Sequence, residues 1–403
     1  MEGILTDKRE KGESPRLFIV AGEPSGDMHA ANLIHAMRRQ RVDCEFAGLG
    51  GSKMEEAGCR LERDMMTMSW MGFAKAIVSA PMVYAFQRRM IRFLRGYRPD
   101  AVVLVDFPGF NLSLARLVGK LGIPVVYYIS PQIWAWAPGR IEKIRQRVAK
   151  MLVIFPFEEE IYRRAGVPVE YVGHPLFDEL AAIEGDLTLP EELKDPAHAR
   201  TIGLLPGSRA QVVKRSLGVM FKAAARIHEE IPETRFLVSC QQEQFEGLIG
   251  RHVERAGFPV KVVGGRAQVV MKNSELCLVA SGTATLELAH YGTPMVVIYR
   301  VGPASFVLGR ALLKSPYFCL VNILAGREVV PEMLLWWDDI KRVTGHALSI
   351  LQDHTVRERT EADLKSIREM VDRTGASDRA AEAVLRFVDE HGGMSATAGR
   401  QAE

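Results

Sequence analysis

Four short strings set acidic, hydroxyl or basic side chains among glycines and prolines, each directly behind an apolar run. In Gly22-Glu23-Pro24-Ser25-Gly26-Asp27 the glycines permit close backbone approach, and Glu23 and Ser25 can face a sugar hydroxyl. Ser25 or Asp27 can equally cap the following helix. Asp106 ends the run AVVLV and leads into Phe107-Pro108-Gly109-Phe110-Asn111. A carboxylate there can act as a general base, because drawing a proton from a sugar hydroxyl at neutral pH needs a positioned acceptor; the competing reading is a helix or turn cap. Leu205-Pro206-Gly207-Ser208-Arg209 combines backbone N–H groups at a helix start with a guanidinium, which suits a diphosphate but also describes an ordinary turn with a surface arginine. In Ala280-Ser281-Gly282-Thr283-Ala284-Thr285-Leu286-Glu287 the small residues again suit phosphate. Glu287 can accept ribose hydroxyls or simply complement the helix dipole. Two further strand ends stay open. His174, in Val172-Gly173-His174-Pro175, is either a ligand contact or a satisfied interdomain histidine. Trp134 and Trp136, in SPQIWAW, either stack on a sugar or fill the core, with core filling as the default.

These strings need strands and helices to hold them. From Arg16 the chain reads as a strand, RLFIVAG, a turn, and a helix from about His29 to Gln40. EFAGLG, DAVVLVDFPGF, PVVYYIS, MLVIFPF and VEYVGHP repeat the theme, and continuous apolar strands of this kind belong to a parallel sheet covered on both faces. The acidic stretch 181–200, with Pro190 and Pro196, breaks the rhythm and reads as a linker. A second series follows through TIGLLPGSR, RFLVSC, VKVVGG, LCLVASGTATLE and PMVVIYR. The expected class is α/β, with two doubly wound parallel-sheet domains at 16–180 and 201–338. Residues 1–15 form an extension read as disordered, 339–390 are helices expected either to pack back on the first domain or to be swapped in a dimer, and 391–403 are a tail.

Composition narrows the chemistry. Of 403 residues, 47% are apolar and 25% charged, as in a globular enzyme rather than a disordered chain. A formal charge of +3, from 52 basic and 49 acidic side chains, argues against a general nucleic-acid binder. Cys44, Cys59, Cys240, Cys277 and Cys319 form no C-x-x-C pair, which fits a reducing cytoplasm. The first fifteen residues lack the apolar stretch of a secretory signal, so the chain is expected to stay inside the cell. P-loop, H-E-x-x-H and G-x-G-x-x-G motifs are missing, which weakens ATPase, zinc-hydrolase and dehydrogenase readings. There is no Asp-x-Asp triplet to hold a divalent ion either. The expectation is a site without metal or cofactor, where Arg209 and helix starts meet the leaving-group charge.

One segment points to a surface. Met65–Phe86 carries a single charged residue, Lys75, and is followed by Arg88, Arg89, Arg92, Arg95 and Arg98 interleaved with Met90, Ile91, Phe93 and Leu94. It falls inside the first strand–helix series, where a membrane span would break the domain. The remaining readings are two: an interfacial helix on an anionic bilayer, with Met82, Phe86, Met90 and Phe93 in lipid and Arg88, Arg89 and Arg92 at the headgroups, or a core helix with a solvated basic edge.

Taken in order, GEPSGD, the D-x-P-x-F-N string at Asp106 to Asn111, SPQIWAW, VGHP, LLPGSR, ASGTATLE and NILAGRE at Asn322 to Glu328 resemble the lipid-A-disaccharide synthase family, glycosyltransferase family 19, from about Arg16 to Glu390. The resemblance implies a GT-B fold: two Rossmann-like domains facing a central cleft, with the acceptor and membrane on the first and the UDP-sugar on the second. It implies inverting transfer of 2,3-diacylglucosamine from UDP-2,3-diacylglucosamine to 2,3-diacylglucosamine 1-phosphate (lipid X), giving a β-1,6 disaccharide and UDP, at the cytoplasmic face of an inner membrane. Glu23, Ser25 and Asp106 then correspond to residues needed for activity, and Arg209, Glu287 and Asn322 to nucleotide contacts, with Ser208, Gly282, Thr283 and His174 beside them. A homodimer exchanging C-terminal segments is also implied. Pro24 departs from the family's usual threonine. The rivals are a UDP-N-acetylglucosamine 2-epimerase or another GT-B transferase with a soluble acceptor, and a non-catalytic sugar-nucleotide sensor.

Overall fold

The computed structural model describes residues 14–65, 80–136, 139–183, 187–194, 197–303, 306 and 315–391. The expectations for most of the N-terminal extension, for the tail and for residues 66–79 of the apolar segment lie outside these, as does the side chain of Met82. The chain divides into two compact units. The described part of the first comprises 14–65, 80–133, 139–178 and 373–391; the second comprises 134–136 and the described residues of 179–372.

The first unit is built on a seven-stranded sheet in which every pairing is parallel. Its strands are β1 (Arg16–Ala21), β2 (Glu45–Gly50), β3 (Arg60–Asp64), β4 (Ala101–Val105), β5 (Val125–Tyr128), β6 (Lys150–Val153) and β7 (Val169–Tyr171), in the order β3-β2-β1-β4-β5-β6-β7. The central strands are buried along their whole length because helices cover both faces. Phe18, Val20, Val102, Leu104 and Tyr127 share one core cluster. The helices are α1 (Pro24–Gln40), α2 (Ser52–Glu56), α3 (Ala80–Tyr97), α4 (Pro108–Gly119), α5 (Ile133–Trp136, of which 134–136 fall to the second unit), α6 (Arg140–Arg147) and α7 (Pro156–Arg164); α8 (Leu176–Ile183) carries the chain toward the second unit. α1 begins at Pro24, five residues before the expected His29. A proline in the first turn presets φ and lacks an N–H that would have no helical partner there, so the departure from threonine falls where proline is favoured.

The second unit has a six-stranded sheet, likewise parallel throughout: β8 (Arg200–Leu205), β9 (Thr234–Cys240), β10 (Val260–Gly264), β11 (Leu276–Ala280), β12 (Met295–Arg300) and β13 (Glu332–Leu335), ordered β10-β9-β8-β11-β12-β13. Its helices include α9 (Ala210–Glu230), α10 (Glu246–Val253), α11 (Ala267–Lys272), α12 (Ala284–Tyr291), α13 (Leu320–Ala325), α14 (Ile340–Gln352) and α15 (His354–Val371). The core clusters Leu204, Val213, Leu217, Phe236, Leu278, Val343 and Ile350.

Two stretches of chain gain detail in the structure. The stretch 181–200 is not a free linker: Leu187 and Leu189 are buried, and Asn273, Arg235 and Lys261 donate side-chain hydrogen bonds to the carbonyls of Leu187, Leu193 and Glu192. The helices after 339 also divide. α14 and α15 belong to the second unit, whereas α16 (Ala376–His391) returns to the first and packs on α1, with Arg39 2.6 Å from Asp378 and Arg41 2.6 Å from Asp389. Asp178 holds the start of α16, its carboxylate accepting the N–H groups of Gly375, Ala376 and Ser377.

Candidate functional site

In each sheet the strand order reverses direction between two neighbouring central strands, β1 and β4 in the first unit and β8 and β11 in the second, and the loops beyond such strand ends form a crevice for ligands. The four strings singled out in the sequence are the loops at those four ends.

At the first reversal Ala21 pairs with Val105, so the Glu23 and Asp106 loops rise side by side. Gly22 is required by this proximity: a Cβ there would lie 2.2 Å from a carbon of the Phe107 ring. Glu23 is the half-buried N-cap of α1, with no capping bond from its side chain, and Ser25 is exposed. Asp27 has a different task. It is buried, and its carboxylate accepts from the N–H groups of Gly51 at 2.7 Å, Lys53 at 3.2 Å and Met54 at 3.3 Å, capping α2 rather than its own helix.

Asp106 and Phe107 both adopt left-handed backbone, with φ of 46° and 48°, and Ile129 beyond the neighbouring β5 does so at 65°. Such conformations cost non-glycine residues roughly 1–3 kcal/mol each and persist only where the surroundings over-determine them. Here they do. Asp106 donates its N–H to the Tyr128 carbonyl at 3.0 Å, and its own carbonyl accepts the Tyr127 hydroxyl at 2.6 Å and the Asn111 Nδ2 at 2.7 Å. In the sequence Asn111 stands out only as part of a motif, and the one visible signal for Tyr127 is its place in the apolar run PVVYYIS.

His174 is a satisfied core histidine in this unit. Its Nδ1 accepts the Leu176 N–H at 3.1 Å, and its ring packs against Phe155 and Phe177. Burial first, and His29 second, push its pKa down to about 3, so the ring is neutral. On α3 the described apolar side chains follow the alternative of a core helix with a basic edge. Met90 is 2% exposed in the core cluster, Phe86 and Phe93 pack against that cluster, and their rings lie 6.0 Å from Phe110 and 5.8 Å from Phe18. These apolar side chains pack in the protein's own core, while Arg88, Arg89, Arg92 and Arg95 stay exposed. No described helix is long and apolar enough to cross a membrane.

At the second reversal Gly207, at φ 95°, turns the chain from β8 toward α9, and a Cβ on it would sit 3.6 Å from that of Ala280. The loops that lead from β8 to α9 and from β11 to α12 therefore leave their strands side by side, and helix N-termini favour anions. Ser208 and Arg209 are exposed, Arg209 being the N-cap of α9; Gly282 and Thr283 are exposed at the start of α12. Glu287 is 7% exposed, accepts a 2.7 Å hydrogen bond from Gln268, and has its pKa raised by burial. Asn322 is 0% exposed and staples a loop. Its Oδ1 accepts the N–H groups of Val329 and Val330, and its Nδ2 donates to the Val330 carbonyl. Glu332, not flagged in the sequence, accepts the Phe318 and Cys319 N–H groups ahead of α13.

Comparison with known proteins bears on what these loops do. The family model for lipid-A-disaccharide synthetase matches residues 17–387. A lipid-A-disaccharide synthase of Myxococcus xanthus is 38% identical over 374 residues, 93% of this chain and 98% of that protein. One of Syntrophus aciditrophicus is 38% identical over 376 residues, with the same coverage. Among solved structures, a UDP-GlcNAc 2-epimerase of Neisseria meningitidis bound to UDP-GlcNAc aligns with a TM-score of 0.59 at 10% identity, over 93% of this chain and 100% of that one. Acinetobacter baumannii MurG aligns with a TM-score of 0.55 at 15% identity, over 92% and 99%. At such identities the likeness is one of fold: two Rossmann-like parallel-sheet domains, with neighbours in the GT-B class.

Proposed function

The chain belongs to the lipid-A-disaccharide synthetase family, and from that premise we propose that it moves 2,3-diacylglucosamine from UDP-2,3-diacylglucosamine onto lipid X, releasing UDP and forming the β-1,6 tetra-acyl disaccharide 1-phosphate. The observation that carries this reading is the family match over 17–387, with its strand-end motifs at the reversals of the two sheets.

Asp106 takes the proton of the acceptor hydroxyl as that oxygen bonds to the anomeric carbon and the bond to the UDP oxygen breaks. One displacement inverts the centre, so no covalent nucleophile is needed. Glu23 and Ser25 orient the acceptor. Arg209 and the N–H groups at the starts of α9 and α12, around Ser208, Gly282 and Thr283, meet the charge growing on UDP, so a divalent ion is not required. Glu287 accepts from the ribose hydroxyls, and Asn322 supports the site only through the 329–330 backbone. The enzyme works in the cytoplasm against the anionic face of the inner membrane. The exposed arginine edge of α3 supports this, attaching by charge rather than by apolar insertion.

Purified protein incubated with both substrates, with and without a chelator, should release UDP and a tetra-acyl disaccharide in either case. Asp106→Asn should lower kcat by about 10²–10⁴. No product from the wild-type protein would overturn the reaction. UDP-sugar binding without turnover would favour a sensor, and turnover of UDP-GlcNAc without a lipid acceptor would favour an epimerase.

A further inference from the structure

We infer that Tyr127 and Asn111 are positioning residues for Asp106, their side chains converging on its backbone carbonyl to hold the left-handed turn that aims its carboxylate. The inference rests on the reading of Asp106 as the base. The direction of a Cα–Cβ bond follows from φ and ψ, and Asp106 and Phe107 are consecutive non-glycine residues at positive φ, the second of them immediately before a proline. A turn of that kind needs an external clamp.

Three observations supply it. The Tyr127 hydroxyl donates to the Asp106 carbonyl at 2.6 Å from the neighbouring strand, and both Tyr127 and Asn111 are 0% exposed. Asn111 Nδ2 donates to the same carbonyl at 2.7 Å and to that of Val105 at 3.2 Å, so two successive carbonyls leaving β4 share one amide group. The Phe107 ring fills the space that the missing side chain of Gly22 leaves open, which links the turn to the Glu23 loop. Burial first, and the Asp106 carboxylate second, push the Tyr127 phenol well above its ordinary pKa, so its hydroxyl remains a donor throughout the working range.

The test compares Tyr127→Phe and Asn111→Ala in the parent and in Asp106→Asn, with turnover of UDP-2,3-diacylglucosamine and lipid X as the readout. Tyr127→Phe keeps the ring that fills the core, and Asn111→Ala provides a second variant should the first fail to show a thermal transition. In the parent, each should lower kcat about tenfold with KM for the UDP-sugar within about twofold, and shift the acid limb of the kcat profile. In Asp106→Asn neither should lower the residual rate further, because groups that act through one residue are not additive with its loss. Parent-like kcat in both variants overturns the inference. So does an equal further loss in the Asp106→Asn background, which marks a general structural role. If Asp106→Asn alone keeps near-normal turnover, the base reading fails and this inference falls with it; if Asp106→Asn collapses and both other variants are normal, only the positioning role fails.

Discussion

At Glu287 a carboxylate lies in the first turn of α12 with Gln268 beside it, and burial raises its pKa. A carboxyl group whose folded-state pKa lies above its unfolded value stabilises the fold below the unfolded pKa and loses that contribution as pH rises through the folded one. At neutral pH the group is therefore a cost, of the kind retained for a ligand. Glu287→Gln should raise Tm by a few degrees at pH 7.5 while raising KM for the UDP-sugar about tenfold. An unchanged KM would remove the ribose contact. His174 has a depressed pKa, about 3 in the fold. The unfolded chain, with its histidine near the ordinary 6.5, binds the extra proton first as pH drops, so this group's stabilisation is complete above about pH 6.5 and declines below it. His174→Asn keeps an acceptor for the Leu176 N–H and should flatten the fall in urea midpoint between pH 7.5 and pH 5. Parallel falls in the two proteins would assign the effect to other groups.

At the scale of one element, α3 shows an ambiguity that periodicity cannot resolve. Apolar residues at helical spacing beside a row of arginines describe both a helix on a bilayer and a helix on its own sheet. The structure assigns the apolar face to the core and leaves the arginines outside. Met90→Ser should then cost about 2–4 kcal/mol in urea unfolding. Joint replacement of Arg88, Arg89 and Arg92 by serine should stay within about 0.5 kcal/mol per site and release the protein from anionic vesicles in sedimentation. The reverse pattern would restore the apolar face to the lipid.

On the scale of the whole chain, the first unit is completed by its last helix. α16 buries Ala380, Ala383, Val384 and Phe387, packs on α1, and starts on the carboxylate of Asp178. Asp178→Ala leaves three N–H groups without that acceptor and should cost the first unit about 1–3 kcal/mol. Hydrogen exchange should accelerate in α1 and α16 and stay unchanged in β8–β13; acceleration in both units would contradict this division. A homodimer with exchanged C-terminal segments would place the same helix on a second copy, and light scattering on the intact protein tests that arrangement.

Much of this architecture is written locally. Runs such as RLFIVA, AVVLV, TIGLL and LCLVA are apolar without alternation and are stopped by glycine, proline or a polar residue, so strand order, loop positions and the four chemically loaded ends can all be read from neighbours in the chain. Their pairing across β1/β4 and β8/β11 follows once the sheets are doubly wound. What the chain alone leaves open depends on partners distant in sequence. Tyr127 reaches the Asp106 carbonyl because of the register between β4 and β5. Asn322 is spent on a loop that closes over it, and Asp27 serves a helix two elements away. The helices after 339 part company because two different cores bury their apolar faces. A side chain's type states what it can bond; only the packed fold decides which bonds are already made and which remain for a substrate.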